Sequence, residues 1–269
     1  VEQNLFSAST WDLQGMLDQT IAALCIVPPS ASPTRGPTSP SPTTPPTRKP
    51  TLQPTAAPTT PDLNHLDLYV LLDRSHSIQW DAPYCRQAPG ADTSADDSQV
   101  CWRLFLDFAN RLAGATAGLK NGAGTAVGWS KDRGSPSLGL RVNLIGFACK
   151  NEQRNPLVFT YGLNIDNAAD LAKALDTARQ DTPYGGTCPG AAISLAVQEM
   201  QFSMNRPFKV VVLLTDGIFY DSPMPERASE GLQFFGAVTY TLGIAIPKGG
   251  GTDKKGRPVG GLPSGMLPW

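Results

Sequence analysis

The spacing of apolar residues changes period several times along this chain. LDLYVLL (66–72) is almost continuously apolar, which suits a strand covered on both faces. Val100, Leu104, Phe108 and Leu112 then recur at every fourth position, with Phe105 and Ala109 beside them, as on one face of a helix. LRVNLIGFA (140–148) and the shorter PLVFTYG (156–162) return to strand-like runs. NAADLAKALDTAR (167–179) is amphipathic, with Asp166 or Asn167 placed to cap a helix. AAISLAVQEM (191–200) predicts another helix, and KVVVLLTDG (209–217) a central strand. Ser229 to Phe235 predicts a short helix, and AVTYTLGIAI (237–246) a last strand. This alternation predicts an α/β domain with a mostly parallel sheet over residues 62–247. Ligands of such sheets bind at the carboxyl ends of the strands.

Three segments fall outside that pattern. Residues 28–61 carry 12 prolines and 9 threonines in 34 positions, with almost no large apolar side chain. Such a stretch cannot bury a core. Proline fixes φ and favours extended polyproline II, so full extension spans roughly 105 Å. Pro with Ser and Thr reads as an extracellular stalk, O-glycosylated or bare. Residues 1–27 give a strand-like start near Asn4 to Ser7, then Leu13, Leu17, Ile21 and Leu24 at helical spacing behind Thr10. One strand and one helix are not a domain and must pack on something. Residues 248–269 form a tail too rich in Gly and Pro for a helix.

Composition narrows the class. The 269 residues carry a net charge of −1, which points to neither nucleic acid nor an anionic membrane. No apolar run is long enough for a membrane span. Of five cysteines, Cys85 and Cys101 bracket a polar loop and suit a local disulfide. Cys149 and Cys188 can pair if their two loops are neighbours. Cys25 is then left unpaired, or paired with another chain. With the stalk, this favours an oxidising compartment over a cytosolic set of free thiols. No N-x-S/T sequon occurs. His65 and His76 have no metal-type spacing with the cysteines. Ser75, His76 and Asp73 lie too close on one strand tip to serve as nucleophile, base and orienter, so no enzyme is expected.

The tip of the first long strand carries the candidate chemistry. Asp73, Ser75 and Ser77 stand at alternate positions, so their oxygens can converge. Thr187 follows two glycines in GGTCPGAA (185–192), just before a helix. Asp216 ends the most apolar strand, in LLTDG (213–217). Hard oxygens on adjoining strand tips are what a divalent cation requires, since a buried carboxylate is costly without a positive partner. Taken singly, these are ordinary turn and cap residues; taken together, they predict a metal site.

LDLYVLLDRSHS, GGT and VVVLLTDG, in this order, resemble the von Willebrand factor type A domain over residues 66–246. The resemblance implies a doubly wound sheet with helices on both faces. It also implies a metal-ion-dependent adhesion site holding Mg²⁺ (or Mn²⁺ or Ca²⁺) through Asp73, Ser75, Ser77, Thr187 and Asp216, some through water. In such domains an open coordination position takes a carboxylate from a ligand. His76 stands where the family often has glycine, which narrows access to the ion.

The type A fold ends with one more strand and helix, and this chain has no such pair after residue 246. Residues 1–27 match that ending. They complete a preceding repeat, or a neighbouring copy, or fold back on their own domain; the first two are favoured. Head-to-tail contacts of that kind do not close and build fibres. The expectation is an extracellular structural or adhesive glycoprotein, with type A domains joined by stiff stalks. Its partners are other copies of itself or other extracellular proteins and glycans. The alternative is an adhesion receptor that grips an acidic ligand through its metal site.

Overall fold

The computed structural model describes residues 4–7, 18, 64–80, 85–86, 91, 94–96, 98–121, 124–133, 138–150, 155–215, 225–243, 251–252 and 258–259. Its centre is a six-stranded sheet. In chain order the strands are β1 (Asn4–Ser7), β2 (His65–Asp73), β3 (Gly139–Lys150), β4 (Asn155–Ile165), β5 (Phe208–Thr215) and β6 (Val238–Gly243). Their spatial order is β1-β6-β5-β2-β3-β4, and every pairing is parallel except β3 with β4. The helices are α1 (Ser77–Trp80), α2 (Val100–Gly118), α3 (Ala168–Arg179), α4 (Pro189–Phe202) and α5 (Pro225–Phe234). Two short strands, Gly251–Thr252 and Pro258–Val259, pair apart from the sheet.

Alternation along the central strands sorts side chains between two cores. Leu66, Leu68, Val70 and Leu72 of β2 join Val142, Leu144, Val210, Val212 and Leu214 on one face. There they meet Leu104, Phe105, Phe108 and Leu112 of α2, and Leu171 and Leu175 of α3. The Trp102 indole donates to the Ala178 carbonyl at 2.8 Å and ties α2 to α3. Tyr69, Leu71, Ile145, Phe147, Val211 and Leu213 face the other way, onto Ile193, Ala196 and Met200 of α4 and Ala228 and Leu232 of α5. This is the doubly wound sheet, with helices on both faces, that the type A resemblance implies. Truncating a fully buried leucine here, such as Leu68→Ala, costs about 2–5 kcal/mol.

Several boundaries differ from the sequence reading. β4 runs to Ile165 rather than residue 162. It pairs with β3 through register shifts around Leu144, and Asn164 sits at φ 54° while its N–H donates to the Asn143 side chain at 2.9 Å. That irregularity breaks the two-residue pattern which marks a strand. Helix α5 begins at Pro225, ahead of the expected Ser229. Asn167, one of two expected caps, accepts from the Asp170 N–H at 2.9 Å.

Strand β1 lies parallel to β6 at the sheet edge, with Leu5 opposite Thr241 and Phe6 opposite Leu242. It extends the edge of the sheet beyond β6. Asp18 is helical and exposed. The rest of the helix expected over residues 10–25, Cys25 and the Pro/Thr segment 28–61 lie outside the described residues.

Candidate metal centre at the strand tips

The carboxyl end of β2 enters a tight cluster of oxygens. Asp73 is fully buried. One carboxylate oxygen, Oδ1, accepts from the Ser75 backbone N–H at 2.9 Å. The other, Oδ2, accepts from the Thr215 hydroxyl at 2.7 Å. The Ser75 and Ser77 hydroxyl oxygens are 2.7 Å apart. Ser75 is fully buried, and Ser77 is half-buried because it opens α1. One strand end and the first turn after it thus place the Ser75 and Ser77 hydroxyls together, just past the Asp73 carboxylate.

The loop carrying Thr187 is laced to this tip. The His76 N–H donates to the Gly185 carbonyl at 2.8 Å, and the Tyr184 N–H to the Arg74 carbonyl at 2.9 Å. Gly185 has φ +78°, and a Cβ there would stand 1.9 Å from the Cys149 carbonyl oxygen. Only glycine allows both that conformation and that approach. Thr187 is 2% exposed. Asp216, the fifth expected ligand, lies outside the described residues; its neighbour Thr215 reaches Asp73 directly. Thr215 was not anticipated, although LLTDG places a hydroxyl one residue before that carboxylate.

The variable positions point elsewhere. Arg74 is 5% exposed and lies over the Phe159 ring at 4.1 Å and the Tyr184 ring at 5.0 Å. Its guanidinium donates to the Thr182 carbonyl at 3.0 Å and pairs with Asp181 at 3.5 Å. His76 is exposed.

A hard divalent cation fits this donor set. The groups are a carboxylate and hydroxyls, the oxygen ligands that Mg²⁺ and Ca²⁺ prefer. Adjacent ligands of an octahedral Mg²⁺ are about 3 Å apart, given its ~2.1 Å bonds. The Ser75–Ser77 oxygen separation of 2.7 Å is near that edge. Among the described residues, no three or more His, Cys, Asp or Glu side chains cluster as metal ligands.

Both cysteine pairs are bonded. Cys85 joins Cys101 across 16 residues, and Cys149 joins Cys188 across 39. The second pair fastens the end of β3 to the loop of Thr187. Among the described residues, no helix is long and apolar enough to cross a membrane.

No protein-family model matches the chain, and no curated protein matches it. Among solved structures it is similar to proximal thread matrix protein 1 from the mussel byssus, at 22% identity and TM-score 0.44, over 68% of this chain and 39% of that one. It is also similar to a manganese-loaded TRAP protein of Plasmodium vivax, at 18% identity and TM-score 0.41, over 69% of this chain and 59% of that one. A third is the vWF domain of the type V pili tip protein Mfa5 from Porphyromonas gingivalis, at 16% identity and TM-score 0.34, over 58% of this chain and 39% of that one. The chain thus spans well under two thirds of each of these proteins. By strand order and its two-faced core, the described part of this chain is a doubly wound α/β domain with a mostly parallel sheet.

Proposed function

We propose that this chain is an extracellular adhesive or structural protein whose strand tips hold a divalent cation, Mg²⁺ or a close substitute, that grips an acidic ligand. The observation that carries the reading is the fully buried Asp73, its carboxylate accepting from the Ser75 N–H and the Thr215 hydroxyl, next in the chain to the paired Ser75 and Ser77 hydroxyls and with Thr187 on the adjoining loop. Asp73 supplies the charge and Ser75, Ser77 and Thr187 supply neutral oxygens; Asp216 is the proposed fifth ligand. A bound cation would offer an open position to a ligand carboxylate. The hydrogen bonds from Ser75 N–H and Thr215 fix the Asp73 carboxylate, so little ordering remains for binding to achieve. Two disulfides and the Pro/Thr segment support an oxidising, extracellular setting. Calorimetric titration with Mn²⁺ tests the site: the parent binds and Asp73→Ala does not. Equal binding by both would sink the proposal.

A head-to-tail fibre is the second reading, and β1 is the observation that favours it. This strand has four residues, sits at the sheet edge and is separated from β2 by the whole Pro/Thr segment. An edge strand on such a tether can be exchanged between copies. Light scattering of the full chain against a chain lacking residues 1–27 distinguishes the cases. Fibre assembly predicts oligomers that need residues 1–27 and survive both EDTA and Asp73→Ala. Adhesion without assembly predicts a monomer whose ligand binding is lost in either condition.

A further inference from the structure

Thr187 is held from both sides by a single residue of β3. On its N-terminal side, Gly186 exchanges two backbone hydrogen bonds with Cys149, at 2.7 and 3.2 Å. On its C-terminal side, Cys188 is disulfide-bonded to that same Cys149. Cys149 is 1% exposed and Cys188 fully buried. Gly185, the next residue back, presses its backbone against the Cys149 carbonyl. The result is a staple that holds both neighbours of Thr187 to Cys149, and the sulfur bridge is its one covalent arm.

We infer that the Cys149–Cys188 disulfide is a positioning element of the cation site, and that opening it lowers cation affinity. The inference rests on the reading of the tip as a cation site. A single hydroxyl is a weak ligand. It contributes only where its backbone is already fixed, because ordering a loop on binding is subtracted from the gain. The two hydrogen bonds to Gly186 restrain one neighbour of Thr187, and the disulfide restrains the other. Without the bridge, the start of α4 and the end of β3 are joined here by hydrogen bonds alone. The Cys85–Cys101 bond anchors the first turn of α2 and provides the control.

The experiment titrates Mn²⁺ calorimetrically into the full chain, into Cys149→Ser/Cys188→Ser and into Cys85→Ser/Cys101→Ser. Loss of a group that orients metal ligands costs about 10- to 100-fold in affinity. That loss is expected for the Cys149/Cys188 variant, with the control variant close to the parent. Equal affinity in all three overturns the inference while leaving the cation site intact. A parent that does not bind Mn²⁺ overturns the cation-site reading, and the inference with it.

A second measurement needs no variant and decides the case if the double variant fails to fold. The parent is equilibrated with reduced and oxidised dithiothreitol, with and without saturating Mg²⁺, and the thiols are trapped and mapped. In each turnover the dithiol gives two electrons and two protons, closing its own disulfide as Cys149–Cys188 opens to two thiols. Coupling is reciprocal, so a tenfold affinity difference shifts the midpoint of this pair by about 30 mV toward resistance to reduction. A midpoint indifferent to Mg²⁺ overturns the inference.

Discussion

Strand β2 carries two fully buried carboxylates on the same face, Asp67 near its start and Asp73 at its end, and the chain treats them differently. Asp67 sits among cations. Its Oδ1 accepts from Arg206 Nε at 2.6 Å and Arg141 Nε at 2.9 Å, and its Oδ2 from Arg141 Nη2 at 3.0 Å. Arg206 is itself fully buried and donates onward to the Leu66 carbonyl at 2.7 Å and to that of Gly139. Lys209, also buried, donates to the Ser203 carbonyl at 3.1 Å and to that of Arg206. Asp73, for its part, accepts from the neutral Thr215 hydroxyl and the neutral Ser75 N–H. The amino end of the sheet thus brings guanidinium groups to its carboxylate from within the chain. The carboxyl end gathers hydroxyls around Asp73, the donor set of the proposed cation site. If the proposed cation site is right, the contrast separates a charge held for the fold from one held for a ligand.

The largest effect expected from breaking that contrast is at the amino end. Arg206→Met leaves Asp67 with Arg141 alone and strips two strand carbonyls of a donor. Removing one partner of a buried pair costs about 3–5 kcal/mol. Urea unfolding should lose about 3 kcal/mol or more, and added Mg²⁺ should not restore it specifically. A loss below ~1 kcal/mol would mean that Arg141 suffices, since that is the scale of an exposed ion pair.

The carboxyl end should behave in the opposite way. A ligand at 100 times its Kd stabilises the folded state by about 2.7 kcal/mol. The parent should gain that in Mg²⁺, and Asp73→Asn should gain nothing while remaining folded without the ion. Thermal unfolding with Mg²⁺ or EDTA checks both arms. If Asp73→Asn loses as much intrinsic stability as Arg206→Met, the tip is part of the structural frame and the contrast fails.

The two ends were not equally legible in the sequence. The tip could be read because its residues end apolar runs: LDLYVLL delivers Asp73, and GGT follows a helix and a loop. Local spacing set Asp73, Ser75 and Ser77 at alternate positions, and Thr187 was added by its place just before a helix and by the family resemblance. The amino end was invisible. Asp67 passed as one polar residue in a strand, because its partners Arg141 and Arg206 lie 74 and 139 positions away. No periodicity reports a pairing of that range. The staple on Thr187 was half-visible, since the cysteines could be paired on paper but the Gly186–Cys149 bridge depends on how the loop folds. The end of β4 was lost because a register shift and a left-handed Asn164 disrupt alternation.

A buried and a half-buried tyrosine sharpen the comparison with a smaller effect. Tyr69, toward the amino end, lies 3.5 Å from the Ser203 hydroxyl, and burial pushes its phenol well above the usual value of 10.0. Tyr161, on β4, donates to Asp181 at 2.7 Å; burial first and that hydrogen bond second push it up as well. Below pH 10 both phenols are protonated, folded or unfolded, so their contribution is fully present. Above pH 10 the unfolded chain releases protons that the folded chain retains, and stability falls. The slope is at most about 1.4 kcal/mol per pH unit for each tyrosine. Lys209 acts in the other direction: burial lowers its pKa from 10.5, so stability rises with pH until the unfolded lysine has also lost its proton. Urea unfolding between pH 8 and 11.5 should therefore show an alkaline decline that Tyr69→Phe and Tyr161→Phe each flatten. The two variants should differ at pH 8. Tyr161→Phe removes a hydrogen bond to a carboxylate and should lose about 1.5 kcal/mol. Tyr69→Phe removes a long hydroxyl contact and should lose little, because the charges at its end of the sheet are held by Arg141 and Arg206. An equal loss at pH 8 would place the Tyr69 hydroxyl inside the Asp67 network and extend that structural hub across the face of β2.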